Sequence, residues 1–422
     1  MQLNNSFMAC PRPVVPAGPK AAAFSATSLS LVPTHIHSTE AQPRFTATQH
    51  DLAEVLLAHA PLPSSVENPE QVKADLFERL SEKLATFVRR GQPVPFYGPS
   101  FAFKSPAVGL RSIEEKADAA EKDALIYIAE LAKDVQHIYP QGGIFNWFQD
   151  GHMFAPFMLG HGEEKTDEYL YDIRRIRNLV SGDQVGNIKL HTSRDFLDAP
   201  DLHRMREKFI RTYGQPDLDK VKQKVCDDPR LKADFLGLKK FYEDIYKYLR
   251  EIGELNISTS ALQKEAKATA YQMIQTREAW ENLARHQVPE DSIRLSFSLG
   301  TVPTKDKLGV YMGTSRIPDR WLTPWHGLLV KDDAEDTNGR CAKEKIFSKF
   351  FYANAVGFVP KKDEDGLNYM GFPDSVLDDP AKQEEMLGKI KLLSPGTNMD
   401  EVLADYQRPD TEPREPRTIA MA

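Results

Sequence analysis

A short apolar run set between two helical stripes constrains this chain most. Ile144-Phe145-Asn146-Trp147-Phe148 is bounded by turn chemistry on both sides. Tyr139-Pro140-Gln141-Gly142-Gly143 precedes it, and Gln149-Asp150-Gly151-His152 follows. Such a run reads as a buried strand. Ahead of it, Ala117, Ala120, Ala124, Leu125, Ile128, Leu131 and Val135 recur with helical period. Behind it, Thr166 is placed to cap a further helix, with Asp167 and Glu168 in the first turn, where the helix dipole favours acids. A buried strand between helices points to an α/β arrangement. In open α/β sheets ligands sit outside the carboxyl ends of strands, which directs attention to Asp150.

The rest of the chain fits that frame. Leu76, Phe77, Leu80, Leu84, Phe87 and Val88 form one helical stripe, followed by a Pro/Gly-rich segment from Gly91 to Pro106. Residues 200–287 read as a mainly helical insertion, with Leu262, Ala266, Ala270, Met273 and Ile274 as its clearest stripe. Ile293, Leu295 and Phe297 alternate with Arg294, Ser296 and Ser298 as in a half-buried strand, and Leu308 to Met312 suits its neighbour. Beyond Lys331 the chain is charged, with an aromatic cluster at Phe347, Phe350, Phe351 and Tyr352. Residues 1–48 hold six of the 29 prolines and a single acid, Glu40, which predicts a disordered tail. The expected organisation is a tail over 1–48, a catalytic domain over 49–345, and an extension over 346–422 with a disordered end.

Composition excludes several classes. The chain has 422 residues, with 54 basic against 61 acidic side chains, so a nucleic-acid binder driven by bulk charge is not expected. No apolar run approaches the roughly 18 residues of a membrane span. Cys10, Cys226 and Cys341 form no Cys-x-x-Cys pair, which argues against a disulfide framework or cysteine zinc site and for a reducing cytoplasm. No Gly-x-Gly-x-x-Gly, Gly-x-Ser-x-Gly or His-Glu-x-x-His occurs. Gly160 to Thr166 lacks the second glycine of a phosphate loop. His161-x-Glu163 could imitate part of an iron facial triad, though a polar loop before a helix explains it more simply.

Three segments concentrate unusual residues. Phe101-Ala102-Phe103-Lys104-Ser105-Pro106 holds a lysine between aromatics and a proline. It is either a stem lying over apolar surface, a ligand for phosphate or carboxylate, or an amine of altered basicity. Gln149-Asp150-Gly151-His152 offers an acid that either orients a base or closes a turn on its own backbone. Arg294 lies on the polar side of its strand, and Arg316, Arg320, Trp321, Trp325 and His326 crowd together beyond it. Arginine clamps oxyanions, histidine transfers protons near neutrality, and tryptophan excludes water. The set reads as a site rather than a packed corner.

At these segments the chain resembles the isocyanide (isonitrile) synthases of the pyoverdine/dityrosine biosynthesis type. The matching stretches are Phe103-Lys104-Ser105-Pro106, Asp150-Gly151-His152-Met153-Phe154, Asp291 to Ser296, and Thr323-Pro324-Trp325-His326. They occur in order between about residues 75 and 330. The spacer also matches, through Tyr213-Gly214, Leu236 to Phe241, and Met273-Ile274. Three departures stand out: Ala107 where the family usually has Asn, His152 where it often has Arg, and Ser296-Phe297-Ser298 where Ser-Ile-His is usual.

The resemblance implies a Rossmann-like α/β fold with a helical insertion. It also implies a lyase that joins the amino group of an L-amino acid to ribulose 5-phosphate as co-substrate. The product is an isonitrile or an N-formyl derivative. No metal or other cofactor is implied. It assigns His326, Lys104 and Asp150 to catalysis, and Arg294, Ser105, Ser296, Arg316, Trp325 and His152 to substrate binding. Some relatives are fused to an iron/2-oxoglutarate oxygenase, which here is expected as a separate protein. The rival readings are a metal-dependent oxygenase using His161 and Glu163, and a non-catalytic binder of an amino acid or sugar phosphate.

Overall fold

The computed structural model describes residues 45–62, 66–155, 159, 161–297, 307–311, 313, 323–331, 345–347 and 350–389. Its elements are α1 (Ala47–Ala58), α2 (Pro69–Arg90), β1 (Val94–Ser100), α3 (Ala119–Ile138), β2 (Gly143–Gln149), α4 (Gly151–Phe154), α5 (Glu163–Val180) and β3 (Ile188–Thr192). The helical insertion follows as α6 (Leu202–Tyr213), α7 (Leu218–Asp227), α8 (Pro229–Glu251) and α9 (Thr259–Gln287). Then come β4 (Ile293–Ser296), β5 (Leu308–Gly309), β6 (Leu328–Lys331), β7 (Lys345–Phe347), α10 (Phe350–Val356), β8 (Val359–Lys362), β9 (Asn368–Gly371) and α11 (Pro380–Lys389).

The main sheet has five parallel strands in the order β3-β2-β1-β4-β5. The chain winds from β1 out to β3, then returns through the insertion to β4 on the other side of β1. The strand order therefore reverses beside β1, and the carboxyl ends of β1 and β4 flank the crevice where ligands bind in such sheets. This is the α/β, Rossmann-like architecture with a helical insertion expected from the sequence. Phe96 stacks on Phe145 at 4.4 Å on one face, and Tyr97 and Phe148 meet at 5.9 Å on the other. Phe148 in turn packs edge-on against Trp280 of α9.

The segment Gly91–Pro106, read above as turn-rich, contains the central strand β1. Its prolines are tolerated for a geometric reason. Amides alternate in direction along a strand. The Val94 N–H bonds Gly142 O towards β2. Pro95 and Pro99 therefore turn their missing donors towards β4, which pairs with β1 only at Phe96 and Tyr97. Gly98 makes room for Trp147: a Cβ there would lie 2.5 Å from the indole ring.

Two other readings change. Helix α5 begins at Glu163 with Gly162 as its N-cap, so Thr166 lies inside it. The Thr166 hydroxyl donates to Gly162 O instead (3.2 Å), and Glu163 and Glu164 occupy the first turn. Helix α1, ahead of the first stripe recognised, is closed by a capping box of Thr46 and Gln49. Beyond β6, a second sheet runs β7-β6-β9-β8, with β6 parallel to β9 and antiparallel to β7.

Candidate active site

Three loops meet at the carboxyl ends of the strands. The first leaves β1 through Phe101, which is fully buried with a left-handed φ of 43°. A bulky residue in that region is strained and persists only where its surroundings hold it. Phe297 and Trp325 do so, with ring centroids 6.4 and 5.7 Å from Phe101. The second loop leaves β2 at Asp150-Gly151. A Cβ on Gly151 would come 1.7 Å from Ala102 O, so only glycine lets these two loops touch. The third is the turn Pro324–His326.

Lys104 fastens them. It is fully buried, and its ammonium lies 2.9 Å from Asp118 and 2.8 Å from Glu121. It also donates to the carbonyls of Pro324 (3.2 Å) and Gly327 (3.4 Å), holding the Trp325-His326 turn. An ammonium has three protons, so these acceptors saturate it. A phosphate would have to displace a carboxylate to reach it. The direct phosphate contact weighed for Lys104 does not fit this enclosure. Burial alone would lower its pKa, but the two carboxylates overcome that and raise it.

Asp118 and Glu121 open α3 as a capping box. Glu121 also accepts from the Tyr169 hydroxyl at 3.1 Å. Two carboxylates share one lysine here, and burial pushes the Glu121 carboxyl up to about 8. Asp150, at the end of β2, is pushed up to about 7 by burial, against the pull of its own backbone amide. Burial, then the fields of Glu121, Asp118 and Asp150, hold the Tyr169 hydroxyl well above its usual range.

His326 packs edge-on to Phe103 (5.6 Å) and Phe241 (5.9 Å). Burial, then the positive charges of Arg111 and Lys104, push its pKa down to about 3. That environment favours the neutral imidazole over the near-neutral titration expected of a free histidine. His161 packs on Phe103 at 5.0 Å and is pushed down to about 4 by burial and Lys165. Thr166 donates its hydroxyl proton to Gly162 O, so it accepts from His161 Nε2, which leaves Nδ1 as a lone pair. His152 Nε2 meets Asp167 at 2.8 Å.

Among the described residues, buried polar atoms without partners gather at this end of the sheet. They include Ser100 Oγ, both amide atoms of Gln149, and Nδ1 of His152, His161 and His326. Buried polar atoms are normally paired, so a cluster of orphans marks a place built for something else.

The expected residues divide as follows. Lys104, Trp325 and His326 are joined directly, and Asp150 and His152 adjoin them through the Gly151–Ala102 contact. Ser296 is buried and immediately precedes Phe297. Ser105 is turned into its own loop, where its Oγ accepts from Ala107 N–H at 3.3 Å. Arg294 lines a small apolar pocket with Tyr97, Phe148 and Trp280 on the α9 side. Arg316 lies outside the described residues, as do Ser298, Arg320 and Trp321. Glu121, Tyr169 and Arg111 went unrecognised in the sequence. Asp118-x-x-Glu121 reads as an ordinary helix start, and Tyr169 and Arg111 sit in no motif.

Among the described residues, the only His, Cys, Asp and Glu side chains close enough to share a metal are Asp363, Glu364 and Asp365. His161 and Glu163 form no such group. Glu163 pairs with Arg194. No helix among the described residues is long and apolar enough to cross a membrane.

These loops thus form a candidate small-molecule site at the switch point of a parallel sheet. The chain belongs to the pyoverdine/dityrosine biosynthesis protein family, whose pattern it matches over residues 84–349. It is similar to the L-tyrosine isonitrile synthase of Pseudomonas aeruginosa, with 29% identity over 67% of this chain and 84% of the relative. It is also similar to the L-tryptophan isonitrile synthase AmbI2 of Fischerella ambigua, with 27% identity over 60% of this chain and 73% of the relative. The crystal structure of the PvcA protein from Pseudomonas aeruginosa superposes with a TM-score of 0.63 at 22% identity. That match covers 77% of this chain and all of the other, and shows the shared fold.

Proposed function

We propose that this protein is an isonitrile synthase, a lyase that condenses the amino group of an L-amino acid with the ketone of ribulose 5-phosphate. Its product is an isonitrile or the related N-formyl compound. The observation that carries this reading is membership of the family together with relatives that act on L-tyrosine and L-tryptophan. The site's chemistry supports it. Imine formation needs an amine freed of its proton, and the later eliminations need protons moved in a site that excludes water.

Asp150, titrating at about 7, is the candidate base, and Glu121, at about 8, the candidate proton reservoir behind Tyr169. Neutral His326 offers a hydrogen-bonding nitrogen at a wall of Phe103, Phe241 and Trp325. In this reading Lys104 builds the site rather than touching the sugar phosphate. Ser296, His152 and Arg316 remain candidates for substrate contact. No cofactor enters the reading, the setting is cytoplasmic, and a separate iron/2-oxoglutarate oxygenase would consume the product.

The test is mass spectrometry of the purified protein incubated with ribulose 5-phosphate and pooled L-amino acids. An isonitrile or N-formyl product that requires both substrates is expected. Saturable amino-acid binding with no product would instead identify a non-catalytic relative. Turnover that depends on added iron and dioxygen would favour an oxygenase.

A further inference from the structure

Arg111 is 6% exposed, and its Nε is enclosed without an acceptor. Among the described residues its guanidinium makes no hydrogen bond and no ion pair. Its one close partner is the Phe241 ring, 4.1 Å from Cζ. The acid whose charge it feels most, Asp244, is engaged by Lys240 at 3.1 Å. A buried charge without a counter-charge is costly, and one aromatic face offsets only part of that cost.

The backbone that presents Arg111 is held firmly. The amides of Leu110 and Arg111 both bond Ala107 O, Gly109 N–H bonds Ser112 O, and Ser112 Oγ donates to Ser105 O. The loop thus runs in one tied turn from Lys104 to the guanidinium. Across the same Phe241 ring stands His326, whose Nδ1 is also buried without a partner. With Lys104 saturated, Arg111 is, among the described residues, a cation of this site with donors to spare.

We infer that Arg111 is the oxyanion receptor of the site, its planar fork binding a carboxylate or phosphate group of the substrate beside His326. This rests on the reading of the site as one for an amino acid and a sugar phosphate, since those two substrates bring the two oxyanions. Guanidinium geometry suits either group bidentately.

The test uses the full chain, as wild type, Arg111→Met and Arg111→Lys. Calorimetric titration is run with L-tyrosine, L-tyrosinamide, ribulose 5-phosphate and inorganic phosphate, and melting is followed without ligand. Arg111→Met is expected to weaken binding of one anionic probe by about 10–150-fold, the range for losing a charge-assisted contact. Arg111→Lys should restore only part of it. Loss confined to L-tyrosine, with L-tyrosinamide already weak in the wild type, identifies the carboxylate. Loss confined to ribulose 5-phosphate and inorganic phosphate identifies the phosphate.

Without ligand, Arg111→Met should melt at or above the wild type, because it removes an uncompensated buried charge. The inference is overturned if the Met variant binds every probe as the wild type does. It is overturned equally if the wild type binds none of them, or if the ligand-free variant melts well below the wild type, which marks a structural cation. Product formation separates the two levels of argument. Arg111-dependent anion binding without any isonitrile keeps the receptor and rejects the reaction. Full turnover by Arg111→Met keeps the reaction and rejects the receptor.

Discussion

In the helical insertion, two charged pairs between helices sit in water. Lys224 reaches Glu278 at 2.6 Å and Arg277 reaches Asp234 at 2.7 Å, with all four side chains a third or more exposed. Asp201, Asp217, Asp228 and Ser258 cap its helices through their side chains. At the carboxyl end of the sheet, Lys104, Asp118 and Glu121 are wholly buried, Arg111 is nearly so, and orphaned polar atoms collect around them. Both regions are rich in polar groups, but the sheet end encloses an entire lysine–carboxylate cluster. Burial there shifts the Asp150 and Glu121 carboxyls up and the His326 imidazole down. The difference separates polar groups that keep a helix soluble from those arranged to do chemistry.

Lys104→Met breaks the comparison hardest. The substitution keeps the stem but leaves Asp118 and Glu121 facing each other, and removing one partner of a buried ion cluster costs about 3–5 kcal/mol. It also frees the Trp325-His326 turn, so turnover should vanish with stability. The sign with pH follows from the carboxyls. Stripped of the lysine, the Glu121 carboxyl, already raised by burial, rises further above its unfolded value, so it disfavours folding as pH rises. Denaturant unfolding should therefore show a deficit that is small near pH 4 and grows towards pH 8. A variant as stable as the wild type at pH 8 would show that the cluster is not the fastening described.

Asp150→Asn tests the chemical half. If Asp150 is the base, turnover should fall by about 10²–10⁴-fold. The wild-type pH profile should lose activity below about 7, where Asp150 takes up its proton. His326, pushed down to about 3, should contribute no limb between pH 5 and 8. An activity limb near 6.5 that disappears in His326→Gln would reverse that assignment. Stability should move the other way from activity. A carboxyl raised from 3.8 to about 7 makes the fold less stable as pH rises through that window, and Asn removes the penalty. At about 1.4 kcal/mol per pH unit the gain above pH 7 is bounded near 4 kcal/mol, and the partial exposure of Asp150 keeps it lower. Below pH 4 the two proteins should be equally stable.

The same contrast explains what the sequence disclosed. The α2, α3 and α9 stripes and the Ile144–Phe148 strand were legible because each repeats a local period. The site was legible where chemistry-bearing residues adjoin one another, as in Asp150-Gly151-His152 and Trp325-His326. Strand β1 was hidden because Pro95 and Pro99 look like breakers until their neighbour β4 is known to be short. Glu121 was hidden because its capping role is a complete local explanation. Its second role, towards Lys104 and Tyr169, depends on residues 17 and 48 positions away. Arg111 was hidden because a lone arginine becomes unusual only when burial removes its water. For Arg294, alternation fixes which side of the strand it takes but not which pocket that side faces.

The smallest effect belongs to the insertion and serves as the control. Arg277→Met breaks the Arg277–Asp234 pair, whose side chains are 43% and 37% exposed. Removing the guanidinium returns Asp234 to water rather than stranding it, and holding two long side chains in one geometry carries an entropy cost that the mutation releases. Exposed pairs are worth about 1 kcal/mol or less, and salt screens them further. Denaturant unfolding should therefore change by no more than that, with the difference shrinking as salt is added. Turnover and anion binding should match the wild type, because no charge at the sheet's carboxyl end has moved. A loss approaching that of Lys104→Met, or a change in turnover at equal stability, would show that the insertion also depends on its charges, and the contrast between the two regions would fail.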